Sequence, residues 1–174
     1  MVPKHFTKPF LNLLLFVVIV FFCLDKTYAQ GPPPLPQRTV TVLPTQILDF
    51  GTFYITDGNA AEIVVGYNGT VTSKSANVIM VSTTIIKPAI FEVKLCQGRD
   101  VTITLNTLNV LTNSTTNLTL SDLVPDKAAL GVPFQVESNC TFITTVRVGG
   151  KLTIPAGATT GVYNGSFSLD FTQQ

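Results

Sequence analysis

Apolar and polar residues alternate with a period of two over most of this chain. The clearest case lies near the end, where Tyr163, Gly165, Phe167, Leu169 and Phe171 fall on one side of an extended chain and Asn164, Ser166, Ser168 and Asp170 on the other. Successive side chains of a strand point to opposite faces, so this run predicts a half-buried strand with Phe167 in the core. Val101, Ile103 and Leu105 alternate with Thr102, Thr104 and Asn106 in the same manner. Such runs predict strands over Thr39–Val42, Ile47–Tyr54, Glu62–Tyr67, Val78–Thr84, Phe91–Leu95, Val101–Asn106, Leu118–Val124, Phe142–Ile154 and Val162–Phe171. No window carries a convincing helical period.

Turn chemistry fills the gaps. Asn68-Gly69 is a strong hairpin signal because both residue types tolerate positive φ; Asp57-Gly58 and Gln97-Gly98 are weaker ones. Pro155 to Gly161 separates the last two runs and predicts a terminal β-hairpin, while Gly149-Gly150 predicts a bulge or bend inside a long strand. A hairpin cannot bury its apolar side alone, so an opposing sheet is required. About nine short antiparallel strands predict an all-β fold, a single immunoglobulin-like or pilin-like β-sandwich over residues 38–174. Ahead of it, residues 30–37 include Gly31-Pro-Pro-Pro-Leu-Pro36, which lacks the donors for sheet pairing and reads as a semi-rigid spacer.

The N-terminus changes the picture of compartment. Lys4 and Lys8 precede an apolar run from Leu11 to Leu24, and Thr27-Tyr28-Ala29 supplies small residues for signal-peptide cleavage after Ala29. The run is too short for the roughly 20 residues that span a bilayer, so no membrane span is expected after cleavage. Cys23 follows Phe21 and Phe22, where a lipidation signal requires small residues. Loss of residues 1–29 removes His5, the sole histidine, and leaves eight basic and nine acidic side chains, a net charge of −1. Nothing in that balance steers toward nucleic acid. The expected localisation is extracytoplasmic: secreted, periplasmic or at the cell surface.

Two cysteines remain, Cys96 and Cys140. In an oxidising compartment an even pair reads most simply as one disulfide, closing a loop of about 45 residues and contributing at most about 4 kcal/mol in the chain-entropy model. Their strand parity leaves the geometry open, and two cysteines without histidine make a poor metal site. Without histidine a hydrolytic triad lacks its usual base. Lys74 between Ser73 and Ser75 is a formal Ser/Lys pair, but neighbours on a strand point apart. The acids are scattered singly, unlike the paired carboxylates of a glycosidase. Asp57-Gly-Asn-Ala-Ala-Glu62 gathers oxygen ligands that calcium accepts, at spacings unlike an EF-hand, and a solvated turn is the stronger reading. Tyr54, Tyr67 and Tyr163 are the aromatic candidates for glycan binding; Tyr67 and Tyr163 sit on apolar faces, which predicts core packing for both. No catalytic residue, cofactor or metal is expected.

Leu48-Asp-Phe-Gly51, Ala89-Ile-Phe-Glu-Val93 leading to Val101-Thr-Ile-Thr-Leu105, Val148-Gly-Gly-Lys-Leu-Thr-Ile154 and Ala158-Thr-Thr-Gly-Val-Tyr-Asn-Gly-Ser-Phe167 together resemble a bacterial family of secreted β-sandwich domains designated only as domain of unknown function 4402. That family is similar in turn to spore coat protein U and to pilin-type subunits. This chain departs from the usual pattern in Cys96 and Cys140, and in Thr-Ser-Lys-Ser-Ala-Asn over residues 72–77 where a glycine-rich segment is typical. The resemblance implies a non-enzymatic surface or secreted protein of structural or adhesion type, meeting an extracellular protein or glycan. The alternatives are a ligand-binding module or a pilus subunit that self-assembles by strand donation. For donation, Thr39–Val42 ahead of Pro44 reads as too short.

Overall fold

The structure, a computed structural model, describes residues 39–82, 85–96, 100–108, 110–137 and 141–174. The signal-peptide and spacer segments expected over residues 1–37 lie outside the described residues, as does Cys140, and with it the expected disulfide to Cys96. Among the described residues twelve strands follow in order: β1 (Thr39–Gln46), β2 (Thr52–Ile55), β3 (Ala61–Val65), β4 (Val71–Lys74), β5 (Val78–Ser82), β6 (Ala89–Cys96), β7 (Asp100–Leu108), β8 (Leu111–Thr112), β9 (Asn117–Pro125), β10 (Pro133–Gln135), β11 (Thr144–Ile154) and β12 (Phe167–Gln173). Among the described residues there is no helix, and every strand pair is antiparallel.

A seven-stranded sheet runs β1-β6-β11-β3-β4, with β9 also on β11 and β8 on β9; a second sheet runs β10-β7-β12, and β2 pairs β5 in a third. The sheets meet through their apolar faces. Phe91 on β6 packs edge-on against Phe167 of β12, with ring centroids 6.3 Å apart, and lies 5.6 Å from the ring of Phe171. Ile63, Val65, Val93, Leu95, Val146, Val148, Leu152 and Ile154 from the large sheet join Val101, Ile103 and Phe134 from the smaller one in a single buried cluster. Each large side chain so buried stabilises the fold by about 1.5–3 kcal/mol relative to exposure. The all-β antiparallel expectation therefore holds, in a sandwich-like arrangement.

Strand number and pairing differ from expectation where local turns intervene. The predicted strand Ile47–Tyr54 is broken because Gly51 takes φ 76° and its amide donates to the Asp49 carboxylate at 2.8 Å, leaving only Thr52–Ile55 as β2. β1 is longer than the predicted Thr39–Val42 and passes through Pro44, which an edge strand tolerates because its missing donor faces away from the ladder. Asn68-Gly69 does close a hairpin between β3 and β4, with Gly69 at φ 76°. The terminal hairpin does not form: β11 lies in the large sheet and β12 pairs β7, so residues 155–166 cross between sheets. Alternation alone defines faces, not partners, which is why both strands were legible and their pairing was not.

Gly149-Gly150 marks the expected irregularity. Register shifts between Gly149 and Lys151 where β11 meets β9, so Asp122 and Leu123 together oppose Gly150. A Cβ on Gly149 would collide with the carbonyl oxygen of Val65 and fall 2.7 Å from the backbone carbon of Gly66.

Candidate functional site

Outward-facing positions on most strands are polar, as a solvated sheet face requires. Glu62 on β3, Lys94 on β6, Thr104 on β7, Arg147 on β11 and Asp170 on β12 are examples, all exposed. The β2–β5 ribbon is different. Its inward residues Phe53, Ile55, Val78 and Met80 pack on the core, yet its outward residues are also apolar: Tyr54 is 52% exposed, Ile79 42% and Val81 64%. Tyr54 stands directly opposite Ile79 in the register, and Val81 is the extra residue where pairing shifts between Thr52 and Phe53. A ribbon apolar on both faces has one face more than the core uses.

Beside this face β4 and β5 splay apart. A shallow cleft of about 510 Å³ opens between them, lined by Val71, Thr72, Ser73, Lys74, Ile79 and Met80. There the Lys74 ammonium donates to the carbonyl of Val78 at 2.7 Å, and just past β4 the Ser75 hydroxyl accepts from the amide of Glu62 at 2.9 Å. Both groups tie β4 to its neighbours.

The calcium-like segment is likewise engaged by its own chain. The Asp57 carboxylate accepts from the Asn77 side chain at 2.8 Å, the Asn59 side chain at 2.9 Å and the Asn59 amide at 3.0 Å. Those bonds, Asn77 foremost, hold its pKa below the ordinary carboxylate value. Glu62 points elsewhere, toward Lys151 at 4.0 Å. Among the described residues no three acids, cysteines or histidines gather as a cation site. The segment is a turn held by an aspartate.

The tyrosines separate. Tyr163 packs partly on the core and its hydroxyl donates to the carbonyl of Thr159. Tyr67 is 47% exposed, contrary to the core packing expected of it, because β3 ends at Val65 and the hairpin turn places Tyr67 outside the ladder. Sequence reasoning did not single out Ile79 and Val81; apolar residues at consecutive positions 78–81 were the signal that both faces of β5 are apolar.

The sequence pattern of one protein family, described as Domain of unknown function (DUF4402), matches residues 40–171, from the start of β1 into β12. The chain belongs to that family. No curated protein and no solved structure matches it. In this DUF4402 domain the match takes in the large sheet, its partner sheet and the β2–β5 ribbon, so the apolar face belongs to the family domain itself.

Proposed function

We propose that this DUF4402 protein is a non-enzymatic, extracytoplasmic protein of structural or adhesion type, working through contacts of its sheet faces and edges with protein or glycan outside the cell. The observation that carries this reading is the outward face of β2 and β5, where Tyr54, Ile79 and Val81 leave an apolar surface that no described part of the domain covers. The N-terminal pattern of residues 1–29 supports export. Fractionation of the source cell with intact mass measurement tests it. Recovery outside the cytoplasm as a chain starting at Gln30, with a disulfide between Cys96 and Cys140 seen as a reducible mass difference, is the expected result. Recovery as an uncleaved cytoplasmic protein, or turnover of esters, peptides or glycosides at enzyme-like rates, would refute it.

A second reading, a pilin-like subunit assembling by strand donation, draws on the length of β1. At eight residues β1 is long enough to complete a neighbour's sheet, and its described side chains are half-buried or exposed rather than fully buried. A ladder of species in unboiled denaturing gels is its signature.

A further inference from the structure

Most open edges of this domain carry a feature that discourages pairing with another strand. β1 has Pro44 and a register break between Pro44 and Gln46; β4 has Lys74 and a break opposite Val64 and Val65. β10 is three residues long and begins with Pro133, and β12 carries Asp170 and a break between Ser168 and Leu169. These are the devices by which folded proteins keep sheet edges from associating. β8 is two residues long with Thr112 bonded to Asn164, and β5 has the amide and carbonyl of Val78 taken by the Ser75 carbonyl and the Lys74 ammonium. β2 has its shortness and one register break. Thr52-Phe53-Tyr54-Ile55 contains no charge and no proline, and its one register break lies at the Thr52 end.

The hydrogen-bond phase of β2 follows from its neighbour. The amide of Thr56 donates to the carbonyl of Asn77 at 2.9 Å, which makes Thr56 and Asn77 a bonded pair. Bonded and non-bonded pairs alternate along an antiparallel ladder, so Tyr54 and Ile79 are the next bonded pair. The amides and carbonyls of Phe53 and Ile55 then face away from β5. Among the described residues neither has a backbone hydrogen bond outside that ladder.

We propose that β2 is the edge through which this protein pairs with a second copy of itself, antiparallel about a twofold axis at Tyr54. In that register Phe53 of one copy exchanges both backbone bonds with Ile55 of the second copy, and the two Tyr54 side chains stand opposite each other on the outward face. In this twofold register Tyr54 stands against its own copy and Phe53 against Ile55, so a charge at position 54 would meet its like. β2 meets that requirement, and among the described residues the amides and carbonyls of Phe53 and Ile55 supply it with unpaired donors and acceptors. Pairing also converts two two-stranded ribbons, marginal alone, into one four-stranded sheet ordered β5-β2-β2-β5. Inward-facing Phe53 then abuts Ile55 of the second copy, and the exposed apolar row of Tyr54, Ile79 and Val81 becomes continuous across the axis.

This rests on the contact-making role proposed above, and its test is separate, since a monomer that still adheres would leave that role standing. Sedimentation equilibrium of the protein isolated from an exporting host, over about 1 µM to 1 mM, covers the range in which so small an interface dissociates. A reversible dimer is expected, weakened at least about tenfold by Tyr54→Lys and little changed by Tyr54→Phe. Val81→Lys, on the same face but one strand away from the axis, is expected to weaken it less than Tyr54→Lys. An unchanged thermal midpoint for Tyr54→Lys, whose side chain is already exposed, shows that folding is intact. Monomers at every concentration would overturn the proposal, as would polymers or dimers that Tyr54→Lys leaves unaltered. Equal losses from Val81→Lys and Tyr54→Lys would also overturn it, because they would mean stacked faces rather than paired edges.

Discussion

The ammonium of Lys151 lies 2.6 Å from the carboxylate of Asp122, across the bulge where β9 and β11 change register. Asp122 takes φ 48° there, a conformation an aspartate tolerates better than most residues. The hydrogen bond to Asp122, then its charge, then the charge of Glu62 raise the Lys151 pKa above its ordinary value of 10.5. A cation whose folded pKa is raised contributes stability in full below the unfolded value and loses it as pH rises through the folded one. Wild type is therefore expected to resist urea better than Lys151→Met at about pH 8, with the gap closing as pH rises past 10.5 and through the raised folded value. A gap independent of pH would mean that the lysine acts through its aliphatic stem instead.

Gly149 tests the close approach of β11 to the end of β3. Its missing Cβ leaves room for the Val65 carbonyl and the Gly66 backbone, neither of which is the free end of a flexible side chain. Gly149→Ala should destabilise by about 1–3 kcal/mol or more, the cost of forced overpacking. Gly157 offers the contrast, with φ 71° and nothing within 4 Å of an added Cβ. Gly157→Ala should cost about 1–2 kcal/mol through backbone strain alone. Denaturant midpoints with unchanged m-values would rank the two.

Asp57 predicts an acid-side effect of opposite sign. Its folded pKa lies below the ordinary 3.8, so its contribution is present above that value and is lost as pH falls through the folded pKa. Asp57→Asn should lower the thermal midpoint at neutral pH and match wild type in strong acid. Calcium should leave the midpoint of the wild-type protein unchanged, because Asn59 and Asn77 already hold both oxygens of Asp57. A calcium-dependent rise would show that the carboxylate exchanges partners.

The fold class was legible because alternation is a local property. Glu62 to Val65, Val101 to Ile103 and Leu118 to Val124 carry their own faces in their order of residues, and each became a strand. Three things were not legible. Short strands such as β4, β8 and β10 lack enough residues to show a period. Sheet membership depends on long-range register, so nothing near Pro155 announces that β11 and β12 lie in different sheets. The β2–β5 face required knowing that Tyr54 and Ile79 are opposite each other, which only the ladder supplies. Tyr67 failed for a smaller reason, since a strand ending two residues early changes the environment of everything after it.

Leu152 is 2% exposed and pairs with Ile63 on one side and Leu120 on the other, themselves buried, so its side chain is enclosed by three strands. Phe167, expected in the core from alternation, is half-buried at the start of β12 and packs edge-on against Phe91. Truncating an enclosed leucine removes its transfer free energy and leaves a cavity, about 2–5 kcal/mol, whereas a half-buried phenylalanine at a strand end has solvent to collapse against and should cost about 1–3 kcal/mol. Leu152→Ala is therefore expected to fall further in urea midpoint than Phe167→Ala, with Thr153→Ala, one position along β11 and facing the other way, nearly unchanged. A larger loss at Phe167 than at Leu152 would put the energetic centre of the sandwich at the β6–β12 contact rather than along β11.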